Sequence, residues 1–520
     1  MKIILGINAH HADSSACIIV NNMVVAAIEE ERINRKKHFS GFPTESIREC
    51  LKIAKIKDLE VTDIAFNTRP LSNIISKGVF FLKNLNLKNY NSINKYIKKL
   101  NIKSYLSKDF KFKKNIKIHY IEHHLAHIAS AYFPSNYKDA IGLSIDGSGD
   151  FVTLAIAKCH NHNIKITEKV FFPNSLGIFY HAMTQFLGFK NYGDEYKIMG
   201  MAAYGEPKYF NKIKDNLFKL NKDENFELNL HYFNHQKSNF KYVADENLII
   251  DDIFNENLSR LFVNELSKDH DQEQFKKDFA CSVQKTYEHF FINILKKIKN
   301  FKFSKNLVFA GGCALNSSAN RILTNDKKYF ENTYIPFAPG DNGGALGAAM
   351  IVLANTGYSL DNGGSPYLGK KFSDEYVQKL IINSPYNIKI TSKFIKDESH
   401  LFKTTAKLIS EGKVIGWFQD KMEFGPRALG NRSILADPRN TNMKNIINMK
   451  IKRRESFRPF APSVLEKFQT DWFNDSFISP YMSSLAFVKD EKKKLIPAIT
   501  HVDGTARLQS VSFNTNPRFA

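Results

Sequence analysis

Short apolar runs broken by glycine- and acid-bearing turns predict a series of buried strands along the N-terminal part of the chain. Lys2-Ile3-Ile4-Leu5-Gly6-Ile7-Asn8 predicts a strand, His10 to Ser15 a polar turn, and Cys17 to Val20 with Val24 to Ile28 a returning hairpin. The same pattern recurs downstream. Ala140 to Ile145 predicts a buried strand, Asp146-Gly147-Ser148-Gly149-Asp150 an acidic glycine turn, and Phe151 to Ala157 a second strand. Later, Leu307 to Ala310 runs into Gly311-Gly312-Cys313-Ala314-Leu315-Asn316, and Phe337-Ala338-Pro339 into Gly340-Asp341-Asn342-Gly343-Gly344. Each predicts a strand or loop that feeds glycines into a helix start. Beyond the turn-rich stretch from Asn355 to Gly369, which suits a domain boundary, Leu401 to Glu411 predicts a helix and Lys413 to Trp417 a strand.

The chemistry sits at the ends of these elements. In Glu122-His123-His124-Leu125-Ala126-His127, a helix would put His123 and His127 one turn apart on one face, where two imidazoles can reach one metal ion. A zinc protease with this spacing carries a glutamate directly after its first histidine; here that position is His124, which disfavours peptidase chemistry. Taken alone, such a pair is more often two ordinary helix histidines. The turn at Asp146 offers backbone N–H groups to an anion while Asp146 can hold a cation, although one such turn is also an ordinary hairpin with solvated acids. Paired glycines let a backbone approach a nucleotide closely, and Asp341 is placed either to cap a helix or to complete a metal shell.

The order of the pieces resembles a known layout. Two strand–turn–strand units followed by a glycine-rich segment are similar to the actin-like ATPase (ASKHA) superfamily, with two subdomains and the ligand at the strand ends. Six segments narrow this further: Gly6-Ile7-Asn8, Glu29 to His38, the histidine helix, Asp146-Gly147, Lys197 to Gly205, and Gly340 to Gly344. Together they resemble the NodU/CmcH-type O-carbamoyltransferases, which include nodulation-factor, cephem and tobramycin O-carbamoyltransferases. The likeness runs over nearly the whole chain in the family's order. It implies an α/β protein with an actin-like carbamoyltransferase domain over 1–365, a linker over 366–395, and a YrdC-like domain over 396–520. It also implies a divalent metal on His123, His127, Asp146 and Asp341, with Fe(II) the family's expectation and Mg(II) a further candidate; histidine with carboxylates suits Fe(II), Mn(II) or Zn(II) alike. Asp13, Gly147, Ser148, Gly311, Gly312, Asn316 and Gly343 are expected around the nucleotide or adenylate. His11 or His124 is expected to accept the proton of the acceptor hydroxyl.

Three further segments resemble family signatures of the second domain: Glu423 to Ser433, Lys450 to Pro462, and His501 to Arg507. Their basic side chains suit oxyanion binding, guanidinium groups in bidentate fashion. The resemblance assigns Arg427, Lys452, Arg458 and Arg507 to carbamoyl phosphate or the phosphates of ATP. Arg432 joins the group on charge alone. Family members continue with an N-T-S-F-N-like strand and a Gly-Glu-Pro turn. Ser512 to Asn516 is only superficially similar, so the second domain is expected to be C-terminally incomplete, with adenylate synthesis dependent on the missing piece.

Bulk composition adds less. The 520 residues suggest two or three domains, and the 43% hydrophobic content is that of a globular protein. Cys17, Cys50, Cys159, Cys281 and Cys313 form no C-x-x-C pair, which fits a reducing cytoplasm without a disulfide framework. No apolar run is long enough to span a membrane. The net charge of +22 raises a nucleic-acid partner, but the lysine-dense span Ser76 to Lys117 has no recognisable nucleic-acid motif and reads as compositional bias. The polar span Lys208 to Asp271 reads as an insertion or a substrate-facing region. The expected partner is a small-molecule or glycan hydroxyl acceptor, and a homodimer is compatible with the resemblance. The alternatives are an ATPase like that of tRNA threonylcarbamoylation, a sugar or acetate kinase on the same fold, and a homologue that binds nucleotide without turnover.

Overall fold

The computed structural model describes residues 1–83, 101–220, 226–237, 240–241, 249–267, 271–324, 327–361, 364–383 and 391–520. Parts of the spans Ser76 to Lys117, Lys208 to Asp271 and Asn355 to Gly369 therefore lie outside the described residues. The chain divides into two compact units, Met1–Pro366 with Ser483–Leu485, and Tyr367–Met482 with Ala486–Ala520. Both mix helices with strands.

The first unit contains one sheet topology twice. In the first sheet, β1 (Ile3–Asn8), β2 (Ser15–Val20) and β3 (Met23–Glu29) form an antiparallel meander, and β4 (Asp63–Phe66) and β5 (Lys117–Tyr120) add in parallel beside β1, giving the order β3-β2-β1-β4-β5. The second sheet repeats this with β6 (Asp139–Gly149), β7 (Val152–His160), β8 (Asn163–Phe171), β9 (Asn306–Ala310) and β10 (Asn332–Tyr334), in the order β10-β9-β6-β7-β8. The central strands β1 and β6 are almost wholly buried because their apolar side chains pack on both faces, which is why they read as continuous apolar runs.

One local expectation shifts. The predicted turn at Asp146 to Asp150 is instead a continuation of β6, whose pairing with β7 loses register between Ile145 and Gly149. The reversal falls one step later, at Asp150 and Phe151, both with positive φ (50° and 73°). Those two consecutive left-handed residues make the tight mirror-image turn that right-twisted strands favour, at a conformational cost because neither is glycine. The irregular stretch carries Asp146 just beyond the last regular pair with β7, Ile145 with Leu154.

In the second unit, the predicted helix at Leu401 to Glu411 begins earlier, as Glu398–Ser410, because Asp397 caps it through the N–H groups of Ser399 and His400. The predicted strand at Lys413 to Trp417 is Ile415–Phe418, paired antiparallel with Arg432–Leu435. Among the described residues no helix is long and apolar enough to cross a membrane. All five cysteines are free.

Candidate metal centre and anion site

The helix His123–Tyr132 is buried along nearly its whole length. Its first N–H, on His123, is satisfied from outside: the Asp150 carboxylate accepts it at 3.0 Å and also takes the N–H of Arg69 at 2.8 Å. The strained β6–β7 turn thus serves as the cap of the histidine helix. A second helix, Gly343–Ala354, lies against it through glycines at four-residue spacing. A Cβ on Gly347 would collide with the carbonyl oxygen of Ala126, and one on Gly343 with that of Ala338. Only glycine permits this approach, and it fixes the register that brings Asp341 to the histidines.

Asp146 divides its two oxygens between protein and site. Oδ1 accepts the N–H of Gly147 at 2.8 Å and of Gly312 at 3.2 Å. Oδ2 is left facing His123 Nε2 at 3.1 Å and His127 Nε2 at 3.2 Å. Gly312 is a glycine for steric reasons, since a Cβ there would sit 2.8 Å from Asp146 Oδ1, and a Cβ on Gly149 would overlap the His123 ring. Opposite, Asn342 caps the helix Gly343–Ala354 through the N–H of Gly343. Asp341 is therefore not the cap; its Oδ1 lies 3.4 Å from His123 Nε2 and 3.5 Å from His127 Nε2, buried and without a hydrogen bond among the described residues. Asn342 is itself held from the first sheet, donating to Glu29 Oε1 at 3.0 Å, while its carbonyl accepts from Ser15 Oγ at 2.8 Å.

Two imidazole nitrogens and two carboxylate oxygens thus converge within 4.8 Å of one another, and the two Nε2 atoms are 3.0 Å apart. Ligands about 2.1 Å from one divalent cation stand about 3.0 Å apart at adjacent octahedral corners and about 3.4 Å apart on a tetrahedron. The observed separations of 3.0 to 3.5 Å fall in that range. The donor set suits a borderline divalent transition metal. Without a cation the group balances as imidazolium and carboxylate. Burial disfavours charge on His123, but its pairing with the Asp146 and Asp341 carboxylates outweighs burial and pushes it up to about 10. His127 is raised and both acids are lowered, again with burial opposing and the partner bonds prevailing.

The remaining predicted residues of this unit are placed as follows. His11 is buried with its ring 4.7 Å from that of His123, in the shell around the four ligand atoms. His124 points away: its Nδ1 meets Ser144 Oγ at 2.8 Å and its Nε2 meets the carbonyl of Val152 at 2.9 Å. Burial, then the neighbouring His123 and His127, pushes it down to about 3. With both nitrogens engaged, His124 is a core histidine and not a proton acceptor for substrate, which corrects that expectation. Gly147 has open space at its Cβ position and Ser148 is exposed. Gly311 packs on the carbonyl of Ile145 at a φ of +91°. Asn316 is engaged as a helix cap, its Oδ1 accepting the N–H of Ala319 at 3.0 Å, while its amide exchanges hydrogen bonds with Gln284. Gly343 is a packing glycine. Asp13 holds His38, with Oδ1 at 2.8 Å from Nδ1.

The second unit gathers charge of one sign. Arg507 ends the short strand Thr505–Arg507, and its Nε is buried with no hydrogen-bond partner among the described residues. Burial, then the charges of Arg427, Arg454 and Arg458, lowers it well below the usual arginine value. Burial pushes Arg427 down to about 10. Lys452 is lowered by burial and then by Arg454, Arg458 and Arg432. Arg458 is partly balanced by Glu455 at 3.4 Å. A cluster of cations that depress one another in a partly desolvated place is the arrangement an oxyanion relieves. The loop carrying Arg427 and Arg432 is shaped by a fully buried carboxylate: Glu423 Oε1 accepts the N–H groups of Leu429 (2.7 Å), Asn431 (2.9 Å) and Arg432 (3.1 Å).

Comparison with known proteins decides the family. The Carbamoyltransferase N-terminus family matches residues 3–350 and the Carbamoyltransferase C-terminus family residues 406–520. The chain belongs to the carbamoyltransferase family. An uncharacterised protein of Synechocystis sp. is 37% identical over the whole of this carbamoyltransferase and 88% of its own length. Nodulation protein NolNO of Sinorhizobium fredii is 32% identical over 98% of this chain and 71% of its own. Among solved structures, (R)-2-hydroxyglutaryl-CoA dehydratase component A of Acidaminococcus fermentans aligns over 69% of this chain and 100% of its own at 15% identity, with a TM-score of 0.36, too low to argue from. The chain is thus a transferase.

Sequence reading missed several residues of this carbamoyltransferase. Asp150 and Asn342 were seen only as turn and loop residues, and their capping roles depend on contacts distant in sequence. Arg454 and Glu423 stand inside the signature segments, but neither charge nor spacing distinguishes a clustered arginine or a buried glutamate from a solvated one. His38 carried a signal, a histidine at the end of the Glu29 to His38 motif, which had no role attached.

Proposed function

We propose that the chain is an ATP-dependent O-carbamoyltransferase working in two partial reactions, with an actin-like first domain over 1–365, a linker over 366–395 and a YrdC-like second domain over 396–520. In the second domain, carbamoyl phosphate, water and ATP yield carbamoyl adenylate with release of phosphate and pyrophosphate. Arg427, Lys452, Arg458 and Arg507, joined by Arg432 and Arg454, hold the phosphates and balance the charge that builds on them. In the first domain, an acceptor hydroxyl attacks the carbamoyl carbon; the new C–O bond forms as the bond to the adenylate phosphate breaks, and AMP leaves. His11, beside His123, takes the hydroxyl proton. His123, His127, Asp146 and Asp341 would hold a divalent cation, with iron the family's expectation, and it would supply Lewis-acid stabilisation of charge during transfer. Gly147, open at its Cβ position, and the exposed Ser148 face the adenylate, while the Gly311-Gly312 segment holds Asp146 in place. The acceptor is a small hydroxylic molecule, sugar or glycan.

The observation that carries this reading is the convergence of His123, His127, Asp146 and Asp341 at metal-ligand spacing, set in a chain of the carbamoyltransferase family. Pyrophosphate release from ATP tests it, measured with and without carbamoyl phosphate on protein of known metal content. Release that depends on carbamoyl phosphate supports the reading. Transfer of the γ-phosphate to an acceptor, or nucleotide binding without turnover, overturns it.

A further inference from the structure

The helix Ile74–Lys83 shows its apolar side to solvent and buries a lysine. Leu71, just before it, is 64% exposed, and Ile74, Ile75, Val79 and Leu82 are 58%, 83%, 46% and 70% exposed. Spaced by three and four residues, they form one stripe, in which Gly78 has open space at its Cβ position. The opposite side is anchored. Lys77 Nζ donates to the carbonyl of Pro70 at 2.8 Å, and Phe80 meets Phe151 and Phe172 edge-on at 5.5 and 5.4 Å between ring centroids. The loop before the helix is tied down as well, with the N–H of Arg69 on the Asp150 carboxylate at 2.8 Å and Asn73 Nδ2 on the Asp150 carbonyl at 3.0 Å. Turning the stripe inward would break the Lys77 hydrogen bond and strip Phe80 of its ring partners, so the outward face is set by packing.

Single exposed apolar residues are ordinary, but a continuous stripe on one helix marks an interaction. The charge that accompanies it indicates the partner. From Ser76 to Lys117 the sequence carries twelve lysines and one acid, Asp109, which is half of the chain's net charge of +22. Among the described residues Lys103, Lys108, Lys111, Lys113, Lys114 and Lys117 are exposed, and Asp109 Oδ1 already accepts from Arg48 at 3.2 Å. An apolar helix face next to dense positive charge suits a surface that is both apolar and anionic, as a bilayer with acidic headgroups is. Nucleic acid fits less well: the span contains no arginine, the residue suited to phosphate recognition, and a polynucleotide offers no apolar interior for five aliphatic side chains.

We propose that the stripe Leu71, Ile74, Ile75, Val79 and Leu82 docks on the surface of an anionic phospholipid bilayer, as a peripheral contact that lies in the headgroup region without spanning it. The lysines draw the protein to acidic headgroups, and the stripe enters the boundary between headgroups and acyl chains. Neither part suffices alone, because charge without apolar burial is screened by salt and five side chains without charge bind weakly. The contact is independent of the carbamoyl-transfer chemistry.

Vesicle flotation of the full chain tests this, with vesicles of phosphatidylcholine alone and of phosphatidylcholine mixed with phosphatidylglycerol. The unsubstituted chain should partition into the mixed vesicles at least about tenfold more than into the neutral ones. Ile75→Gln combined with Leu82→Gln should lose about 100-fold of the partition into mixed vesicles, each side chain left in water counting for at least about tenfold. Leu59→Gln, at an apolar residue 56% exposed elsewhere on the unit, should change nothing. Equal unfolding in urea and equal metal content separate the loss from a folding defect, and hydrogen exchange of the unsubstituted chain gives a second reading, with residues 71–83 protected on adding mixed vesicles. No partition by the unsubstituted chain, partition that the double variant retains, or equal partition into both vesicle types overturns the proposal. Adsorption by bulk charge is one such case, since it survives the double variant and disappears in high salt. A dimer, or a complex with RNA, that the double variant dissociates while vesicles bind neither protein would likewise overturn it, giving the stripe to a second copy or to nucleic acid.

Discussion

Asp146→Asn isolates the charge of one proposed ligand while keeping its shape. Asn can still accept the N–H groups of Gly147 and Gly312 with the oxygen that replaces Oδ1, but its amide nitrogen then faces His123 and His127 where Oδ2 stood at 3.1 and 3.2 Å. Rotating the amide to offer its oxygen to the metal would set its N–H groups against those of Gly147 and Gly312, at about 1–3 kcal/mol for each stranded donor. A four-ligand divalent site in a protein is worth about 10–16 kcal/mol, so one ligand carries roughly 3–4 kcal/mol. Metal affinity should therefore fall about 100- to 1000-fold. Chelator competition monitored by plasma mass spectrometry reads this directly, and thermal unfolding of the metal-free forms serves as control. Carbamoyl transfer is expected to fall with metal occupancy while carbamoyl-phosphate-dependent pyrophosphate release persists. An Asn variant that retains metal and transfer at the unsubstituted level, with the fold intact, would refute the ligand assignment. Loss of both partial reactions with the fold intact would refute the division of labour between the domains.

Further outcomes follow from other contacts. Arg507→Met removes the buried guanidinium whose Nε is unpartnered and relieves repulsion from Arg427, Arg454 and Arg458, so the second unit should hold or gain stability in denaturant while KM for carbamoyl phosphate rises at least tenfold. Gly347→Ala drives a Cβ into the carbonyl of Ala126 and should cost about 1–3 kcal/mol of unfolding free energy in urea, with a parallel loss of metal affinity as the two helices separate. His124, pushed down to about 3, stays neutral in the fold while the unfolded chain takes up a proton near pH 6.5. The unfolded state then binds more protons, so this contribution to stability is full above about pH 6.5 and declines toward pH 3, by an upper bound on the order of 4 kcal/mol. Urea titrations at pH 7, 5 and 4 should show a decline that is smaller in His124→Gln, and equal slopes in both proteins would contradict it. Metal uptake by the apo-protein should release protons, because His123, raised to about 10, must lose its proton to bind; affinity then rises with pH from 6 to 9, and pH-independent uptake would contradict this.

Much of the candidate metal centre was legible in the sequence because its parts obey local rules. One helical turn separates His123 from His127, and Asp146 ends an apolar strand. The paired glycines 311 and 312 were legible as a close approach, but what approaches Gly312 is the Asp146 carboxylate, which only the second sheet's topology brings near. Asp341 had two readings, cap or ligand, and the capping role falls to Asn342. The reversal after β6 was misplaced because Asp150 and Phe151 accept left-handed backbone that sequence rules reserve for glycine and asparagine; the Asp150 carboxylate offsets that cost at the histidine helix. His124 and His127 are indistinguishable by type, and only the direction of the helix face separates the histidine turned to Asp146 from the one turned to Ser144. The repeated sheet order of the first unit was visible as two strand–turn–strand units, whereas the parallel additions of β4, β5, β9 and β10 depend on pairings far apart in sequence.

Anomalous diffraction from crystals of the protein purified with its native metal, collected on both sides of each transition-metal edge, tests the central claim most directly. A single peak about 2.1 Å from Nε2 of His123 and His127 and from one carboxylate oxygen each of Asp146 and Asp341 is the predicted result. A metal-saturated crystal with no peak there, and with the imidazoles still paired to the two carboxylates, would contradict it.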